Sequence, residues 1–263
     1  MEPGSGLTIL VGGVAQLFQT DLDLGRHVVE QLTDLAGPGV LVEDLSYGAI
    51  PVVHRLQETN PDALILVGTV TWGHPPGTVT RRVVRGTDRT AAQLQGAVQD
   101  AGTGYVDLAL TLDVIHGLDQ APPRVVVVEV EPDRTGPGDE LSPAGRIAVD
   151  VAATRIRTEV ALTPLFDLLR LLRHRVAVLA PDPQAPLAAL ADLVAALDGW
   201  DEHGRWGRTL PAAERLRTAI AGGAHHPQMD HGDWGMIWGL LEELRRLEWL
   251  AVSDLEGSEP APR

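Results

Sequence analysis

Short apolar runs rich in valine, isoleucine and leucine alternate with longer amphipathic stretches over the first 160 residues. Runs of this kind between helical patterns are typical of βαβ units, whose strands are buried on both faces. The pattern predicts strands at residues 7–12, 40–44, 63–68, 78–84 and 124–130, and helices at 24–35, 50–58, 106–117 and 143–159. The short connections between them favour an α/β fold with helices around one mostly parallel sheet.

The pattern changes after about residue 160, where the chain becomes rich in alanine and leucine and reads as helical, with prolines between residues 181 and 186. Two further helices fit residues 211–221 and 233–250. We therefore predict an α/β domain at residues 1–160 and a helical extension at 161–252. The last residues, 253–263, have the composition of a disordered tail.

Charge and composition exclude several classes of function. The formal net charge of the 263-residue chain is -15, which argues against nucleic-acid binding because phosphates require a basic surface. Cysteine is absent, so disulfides, thiolate metal sites and cysteine nucleophiles are excluded. No apolar run approaches 18 residues and no signal peptide begins the chain, so we expect a cytoplasmic protein that does not insert into membranes.

The loop after the first predicted strand, GGVAQLFQTDLDLG, carries Asp21 and Asp23 where α/β proteins usually bind ligands. It lacks the glycine spacing and the lysine of phosphate-binding loops, and two carboxylates would repel a phosphate. A cation or a basic group of a partner fits better. The alternative is structural: Asp21 caps the following helix and Asp23 lies in its first turn.

A second candidate metal cluster lies in AHHPQMDHGDW, residues 224–234, and consists of His225, His226, Asp230 and His231. Imidazole and carboxylate at such short spacing suit zinc or nickel, as in a metal-storage or delivery module. The alternative is a polar loop between helices in which Asp233 or His231 caps the last helix.

Four segments together resemble the hydrogenase maturation peptidases, which remove the C-terminal extension of the nickel-iron hydrogenase large subunit. They are ILVGGVAQLFQTDLDLG, VLVEDLSYGAIPVVHRL, LILVGTVTWGHPPGTV and RVVVVEVEPDRTGPGDELSP. The resemblance covers roughly residues 7–160. It implies a three-layer α/β/α fold with a five-stranded sheet, to which this chain adds its C-terminal helical extension.

The resemblance also implies a nickel site, because the family binds nickel presented by the immature large subunit with a glutamate, an aspartate and a histidine. In this chain the first two positions fall on Leu22 and Gly68. The histidine position falls on Asp107, because the six residues between His116 and Pro123 cannot hold the helix that must follow His116 if His116 were that ligand.

Two functions follow from the resemblance. In the first, the chain binds the large subunit or its assembly machinery through the persisting segments around Tyr47, Gly48, Ser142 and Pro143, with metal-dependent cleavage lost or weakened. In the second, the chain is an active endopeptidase of this aspartic-type family, with a metal site rebuilt from Asp21, Asp23 and Asp107.

Overall fold

The computed structural model describes residues 7–179, 185–203, 209–221 and 229–254. It divides into two compact units, Met1–Val160 and Ala161–Arg263. Within the described residues, no helix is both long enough and apolar enough to cross a membrane.

A five-stranded sheet forms the centre of the first unit. Its strands are β1 (Ile9–Gly13), β2 (Val40–Asp44), β3 (Ala63–Thr69), β4 (Val79–Val84) and β5 (Arg124–Val130), in the order β2-β1-β3-β5-β4. The first four strands of that order are parallel and β4 pairs antiparallel with β5 at one edge. The predicted α/β class and the five strands are confirmed.

Five helices belong wholly or partly to this unit: α1 (Leu24–Gln31), α2 (Ala49–Thr59), α3 (Ala91–Ala101), α4 (Leu108–Gly117) and the start of α5 (Pro143–Leu179). Sequence patterning missed α3. A capping box marks its beginning, in which the Thr90 side chain accepts from the Gln93 N–H and the Gln93 side chain accepts from the Thr90 N–H. This Thr-x-x-Gln spacing is a readable helix signal.

Two aliphatic cores lie on opposite faces of the sheet and give the unit its three layers. On one face, alternate strand residues such as Val11, Ile65 and Val128 pack with α1 and α5. On the other, Leu10, Leu64 and their neighbours pack with α2, α3 and α4. Strands buried on both faces account for the continuous apolar runs in the sequence.

The second unit contains the rest of α5 together with α6 (Ala185–His203), α7 (Thr209–Ala221) and α8 (His231–Asp254). Their leucine-rich faces form one core, in which the rings of Phe166 and Trp200 lie 5.1 Å apart. Helix α5 does not end at residue 159 as predicted but continues through Pro164. The burial of Leu165 and Leu169 in this core compensates for the hydrogen bond that proline cannot make.

Candidate functional site

The carboxyl ends of β2, β1, β3 and β5 meet at one edge of the sheet, which we call the carboxyl edge. The loops that follow these strands, residues 14–23, 45–48, 70–78 and 131–142, all lie there, and all are described. Parallel sheets place their ligands at such an edge. The three positions at which the resemblance places nickel ligands belong to this edge.

Two of these positions have no donor atom in their side chains. Leu22 is partly buried and its carbonyl accepts from the Gln16 N–H at 2.9 Å. Gly68 lies near the end of β3, where an added Cβ would be 2.9 Å from the Val14 carbonyl oxygen and 3.3 Å from the Leu108 Cβ. The backbone directly after β1 and the first turn of α4 therefore leave little room for any side chain at Gly68.

Asp107, the third position, is the N-cap of α4. Its carboxylate accepts from the Leu110 N–H at 2.6 Å, which satisfies one of the unpaired amides at the start of the helix. His116 lies in the last turn of the same helix, and its Nε2 is buried without a hydrogen-bond partner. Helix α4 therefore begins directly after Asp107 and ends at Gly117, directly after His116. This agrees with the placement of the histidine position of the family at Asp107, which precedes a helix, and not at His116.

Asp21 is fully buried and binds the loop between β5 and α5. One carboxylate oxygen accepts from the Ser142 N–H at 2.7 Å, and the other accepts from the N–H groups of Asp133 and Arg134 at 2.9 and 3.1 Å. Burial by itself raises the pKa of this carboxyl, but these donors outweigh burial, so the pKa is lower than that of an ordinary aspartate. Asp21 thus holds two loops together. The prediction that it caps α1 is wrong.

Asp23 is buried and pairs with the guanidinium of Arg26 three residues later. The Arg26 Nε lies 2.9 Å from one carboxylate oxygen and its Nη2 lies 2.5 Å from the other. The two side chains form a bidentate pair, which is the strongest geometry available to a carboxylate and an arginine. Asp23 lies at the N-cap position of α1 but makes no capping hydrogen bond there.

These residues do not fit a nickel ion. Imidazole, thiolate and carboxylate groups are the side-chain donors that suit nickel. Leucine and glycine supply none, and the carboxylates of Asp21, Asp23 and Asp107 are each engaged by protein donors. Across the described part of the chain, no group of three or more histidines and carboxylates could hold a metal ion. In the structure Asp21, Asp23 and Asp107 each have a separate structural partner, and the rebuilt site stays a prediction.

Glu131, which the sequence analysis missed, organises the loop between β3 and β4. It is buried directly after β5, and its carboxylate accepts from the N–H groups of Trp72, Gly73 and His74 at 2.8, 3.2 and 3.2 Å. Burial raises the pKa of Glu131, but the three amides outweigh it and the net pKa is lowered. Its position after a strand was visible in the sequence, but its partners about 57 to 59 residues away were not.

We expect Glu131→Gln to release this loop. The amide keeps one acceptor oxygen but places an NH2 group against the remaining backbone donors, so the exchange of the Trp72, Gly73 and His74 amides should accelerate by about tenfold or more. Hydrogen exchange followed by NMR measures this directly. The exposed Glu140→Gln is the matched control, and equal protection in both variants would contradict the assignment. Because the pKa of Glu131 is lowered, its carboxylate should protect the three amides from exchange at neutral pH. This protection should disappear only when the pH falls below the ordinary pKa range of glutamate.

Of the four residues predicted to recognise a partner, Tyr47 and Pro143 are exposed and the other two are buried. Gly48 has φ of 117° before α2, a conformation that favours glycine. The buried Ser142 donates its N–H to Asp21, and its Oγ accepts from the Gly145 N–H at the start of α5. Ser142 therefore has a structural role, and its part in recognising a partner stays a prediction.

The predicted metal cluster of the second unit is only partly within the described residues. His225 and His226 lie outside them. Asp230 is the N-cap of α8: its carboxylate accepts from the Asp233 N–H at 2.9 Å, and the Asp233 carboxylate accepts from the Asp230 N–H at 3.0 Å. His231 is the first residue of that helix. Capping by Asp230 replaces the predicted capping by Asp233 or His231.

A cavity of about 520 Å³ opens between β4, α3 and α4. Its charged lining includes Arg82, paired with the buried Glu129 at 2.7 Å, and Arg89, paired with Asp113 at 3.2 Å. Each of these arginines is already paired with a carboxylate. These four residues therefore provide no unpaired charge that could bind a charged ligand.

Comparison with known proteins places several hydrogenase maturation endopeptidases among the solved structures that match this chain. HybD from E. coli shares 22% identity over 57% of this chain and 90% of its own, with a TM-score of 0.45. A hydrogenase 2 maturation peptidase from a Thaumarchaeota archaeon is 21% identical over 58% of this chain and 97% of its own, with a TM-score of 0.42. The [NiFe] hydrogenase maturation protease HycI from Thermococcus kodakarensis is 19% identical over 57% of this chain and 89% of its own, with a TM-score of 0.44.

No family model and no curated protein matches the sequence. At the identities of the matching structures, the likeness concerns the fold alone.

Proposed function

We propose that this chain is a binding protein of nickel-iron hydrogenase maturation, which uses a maturation-peptidase scaffold to recognise the large subunit or its assembly machinery and no longer performs the metal-dependent cleavage. The four sequence segments that resemble the family support the role in maturation, and they carry the strands and loops of the carboxyl edge. The persistence of these loops is what a recognition surface requires.

One observation carries the proposed loss of cleavage: two of the three ligand positions have no donor atom in the side chain, and the third is a carboxylate that caps a helix. Leu22 is a hydrocarbon, Gly68 faces the Val14 carbonyl and the Leu108 side chain, and Asp107 caps α4. Nickel gating depends on several ligands at once, and even the loss of an outer-shell partner of a metal site costs about 10- to 100-fold in affinity or activity. The loss of two donors, with the third engaged as a helix cap, is expected to abolish gating.

The test uses the full chain and a nickel-loaded precursor of the large subunit. We expect a stable complex in size-exclusion chromatography and no shortening of the precursor in mass spectrometry. An active maturation protease for the same precursor is the positive control for cleavage. Shortening by this chain would show an active endopeptidase, and the absence of a complex would overturn the binding role.

A nickel titration of the chain alone provides an independent readout. We expect no stoichiometric binding by calorimetry to residues of the carboxyl edge, and no difference between the wild-type chain and the double variant Asp23→Asn/Asp107→Asn. Tight binding that this double variant removes would restore the rebuilt metal site.

A further inference from the structure

The aromatic residues of the first unit are all outside its cores. Residues 1–160 contain four phenylalanine, tyrosine or tryptophan residues, and their exposed fractions are 67% for Phe18, 50% for Tyr47, 59% for Trp72 and 53% for Tyr105. Both cores of this unit consist of aliphatic residues. Aromatic rings normally supply much of the buried area of a core or of a binding interface. Because both cores of this unit lack them, the four exposed rings are candidates for a binding role.

The four rings belong to loops that lie side by side at the carboxyl edge. Tyr47 follows β2, Phe18 follows β1 and Trp72 follows β3, in the spatial order of these strands, and neighbouring strands are about 4.8 Å apart. Tyr105 precedes α4, and its hydroxyl lies 3.3 Å from the Nε2 of Gln16 in the loop after β1. We call the surface of these four residues the aromatic edge.

Backbone hydrogen bonds hold Phe18 in an unusual conformation. Its φ of 60° lies in the left-handed region, which is costly for a residue with a side chain. The Phe18 carbonyl accepts from the Gly138 N–H at 3.0 Å, and the Gly138 carbonyl accepts from the Thr20 N–H at 2.9 Å. The loop after β5 therefore fixes this strained conformation, and the exposed ring is presented by a rigid backbone, as at many binding sites.

The surroundings of the aromatic edge are negative. The end of β2 and the loops at this edge, all within the described residues, carry exposed carboxylates at Asp44, Asp133, Asp139 and Glu140 against one exposed arginine, Arg134. Burial and then the nearby Glu43 raise the pKa of Tyr47, and burial and then Asp107 raise the pKa of Tyr105. Anionic tyrosine is thus disfavoured at both positions.

We propose that the aromatic edge binds an arginine- or lysine-bearing segment of the partner protein. A cation over an aromatic face gains electrostatic attraction from the ring, and the surrounding carboxylates attract the same charge. Rigid aromatic side chains are also the usual centres of binding energy in protein interfaces. That this partner is the hydrogenase large subunit rests on the proposed function. The chemistry of the segment rests on the residues of the edge.

The test uses the full chain and two fluorescein-labelled 12-residue peptides, one repeating Arg-Leu-Ser and the other Glu-Leu-Ser, alongside the nickel-loaded precursor. Fluorescence anisotropy measures the affinity for each peptide. We expect the arginine peptide to bind at least tenfold more tightly than the glutamate peptide. Phe18→Ala/Trp72→Ala should weaken the binding of the arginine peptide and of the precursor by at least tenfold.

Two further variants keep the result interpretable. Phe18→Gly removes the ring but adopts a φ of 60° without strain, so it should weaken binding while the midpoint of thermal unfolding is kept or raised. Leu118→Ala is the matched control, because Leu118 is an exposed leucine at the far end of α4. Its effect on binding should be less than twofold.

The outcomes separate this inference from the proposed function. If the precursor binds with the same affinity to the wild-type chain and to the Phe18 and Trp72 variants, the aromatic edge is not the docking surface, while the proposed function stands. If the precursor does not bind but the arginine peptide binds through Phe18 and Trp72, the proposed function fails and the inference stands. Equal affinity for the two peptides would overturn the inference.

Discussion

Replacing Asp21 by alanine should destabilise the first unit by roughly 3–5 kcal/mol. The side chain is fully buried, and its removal leaves the N–H groups of Ser142, Asp133 and Arg134 without their acceptor. Asp21→Asn should be intermediate, because its amide can still accept from one donor but presents an NH2 group to the others. Urea unfolding followed by hydrogen exchange of peptides from β1, β3 and β5 separates the first unit from the second.

The exposed Asp133→Asn is the control, with an expected change within about 0.5 kcal/mol. The pH dependence gives a second readout. Because the pKa of Asp21 is lowered in the folded protein, the carboxylate stabilises the fold above the unfolded-state pKa, and this stabilisation is lost as the pH falls through the folded pKa. The difference in unfolding free energy between wild type and Asp21→Asn should therefore shrink below about pH 4. A difference that grows on acidification would contradict this role.

Gly25→Ala should cost about 3 kcal/mol or more, although glycine to alanine usually stabilises a helix. An added Cβ would lie 2.4 Å from the Val14 carbonyl oxygen and 2.8 Å from the Val67 carbonyl oxygen, and both atoms belong to the backbone of the sheet region. Neither can move without disturbing the β1–α1 loop and the carboxyl edge. Thermal unfolding monitored by circular dichroism measures the loss.

Gly96→Ala provides the matched comparison, because Gly96 also lies inside a helix, α3, but an added Cβ there meets nothing within 4 Å. It should stabilise the protein by about 0.5–1 kcal/mol. Opposite signs for the two substitutions would identify steric contact with the sheet as the cause. A neutral Gly25→Ala would mean that α1 approaches β1 less closely than the structure has it.

The sheet was readable from the sequence because its central strands β1, β3 and β5 are almost wholly apolar and the strands are bounded by turns. The predicted bounds of β2 and β5 agree with the structure to the residue. Helix α3 was missed because its face is only weakly apolar, although Thr90 and Gln93 mark its start. Helix α5 was predicted too short because the change in composition after about residue 160 was interpreted as the start of a separate segment, whereas the helix continues through Pro164 to Leu179.

The carboxyl edge was much less predictable, because the hydrogen bonds that define its carboxylates are not local. Asp21 stood in a loop where both a helix cap and a cation ligand were plausible, and its true partners lie more than 110 residues away in the chain. Glu131 had no local signal beyond its position after a strand. The change at Gly68 was visible as a substitution, but the closure of that position by Val14 and Leu108 required three-dimensional structure.

The absence of aromatic residues from the two cores of the first unit has a practical consequence for spectroscopy. Both tyrosines of the chain, Tyr47 and Tyr105, lie at the aromatic edge. Uniform incorporation of fluorotyrosine would therefore yield two ¹⁹F resonances, each from this surface, without any mutation. A bound partner would reveal itself as a displacement of those two signals in an otherwise unlabelled molecule.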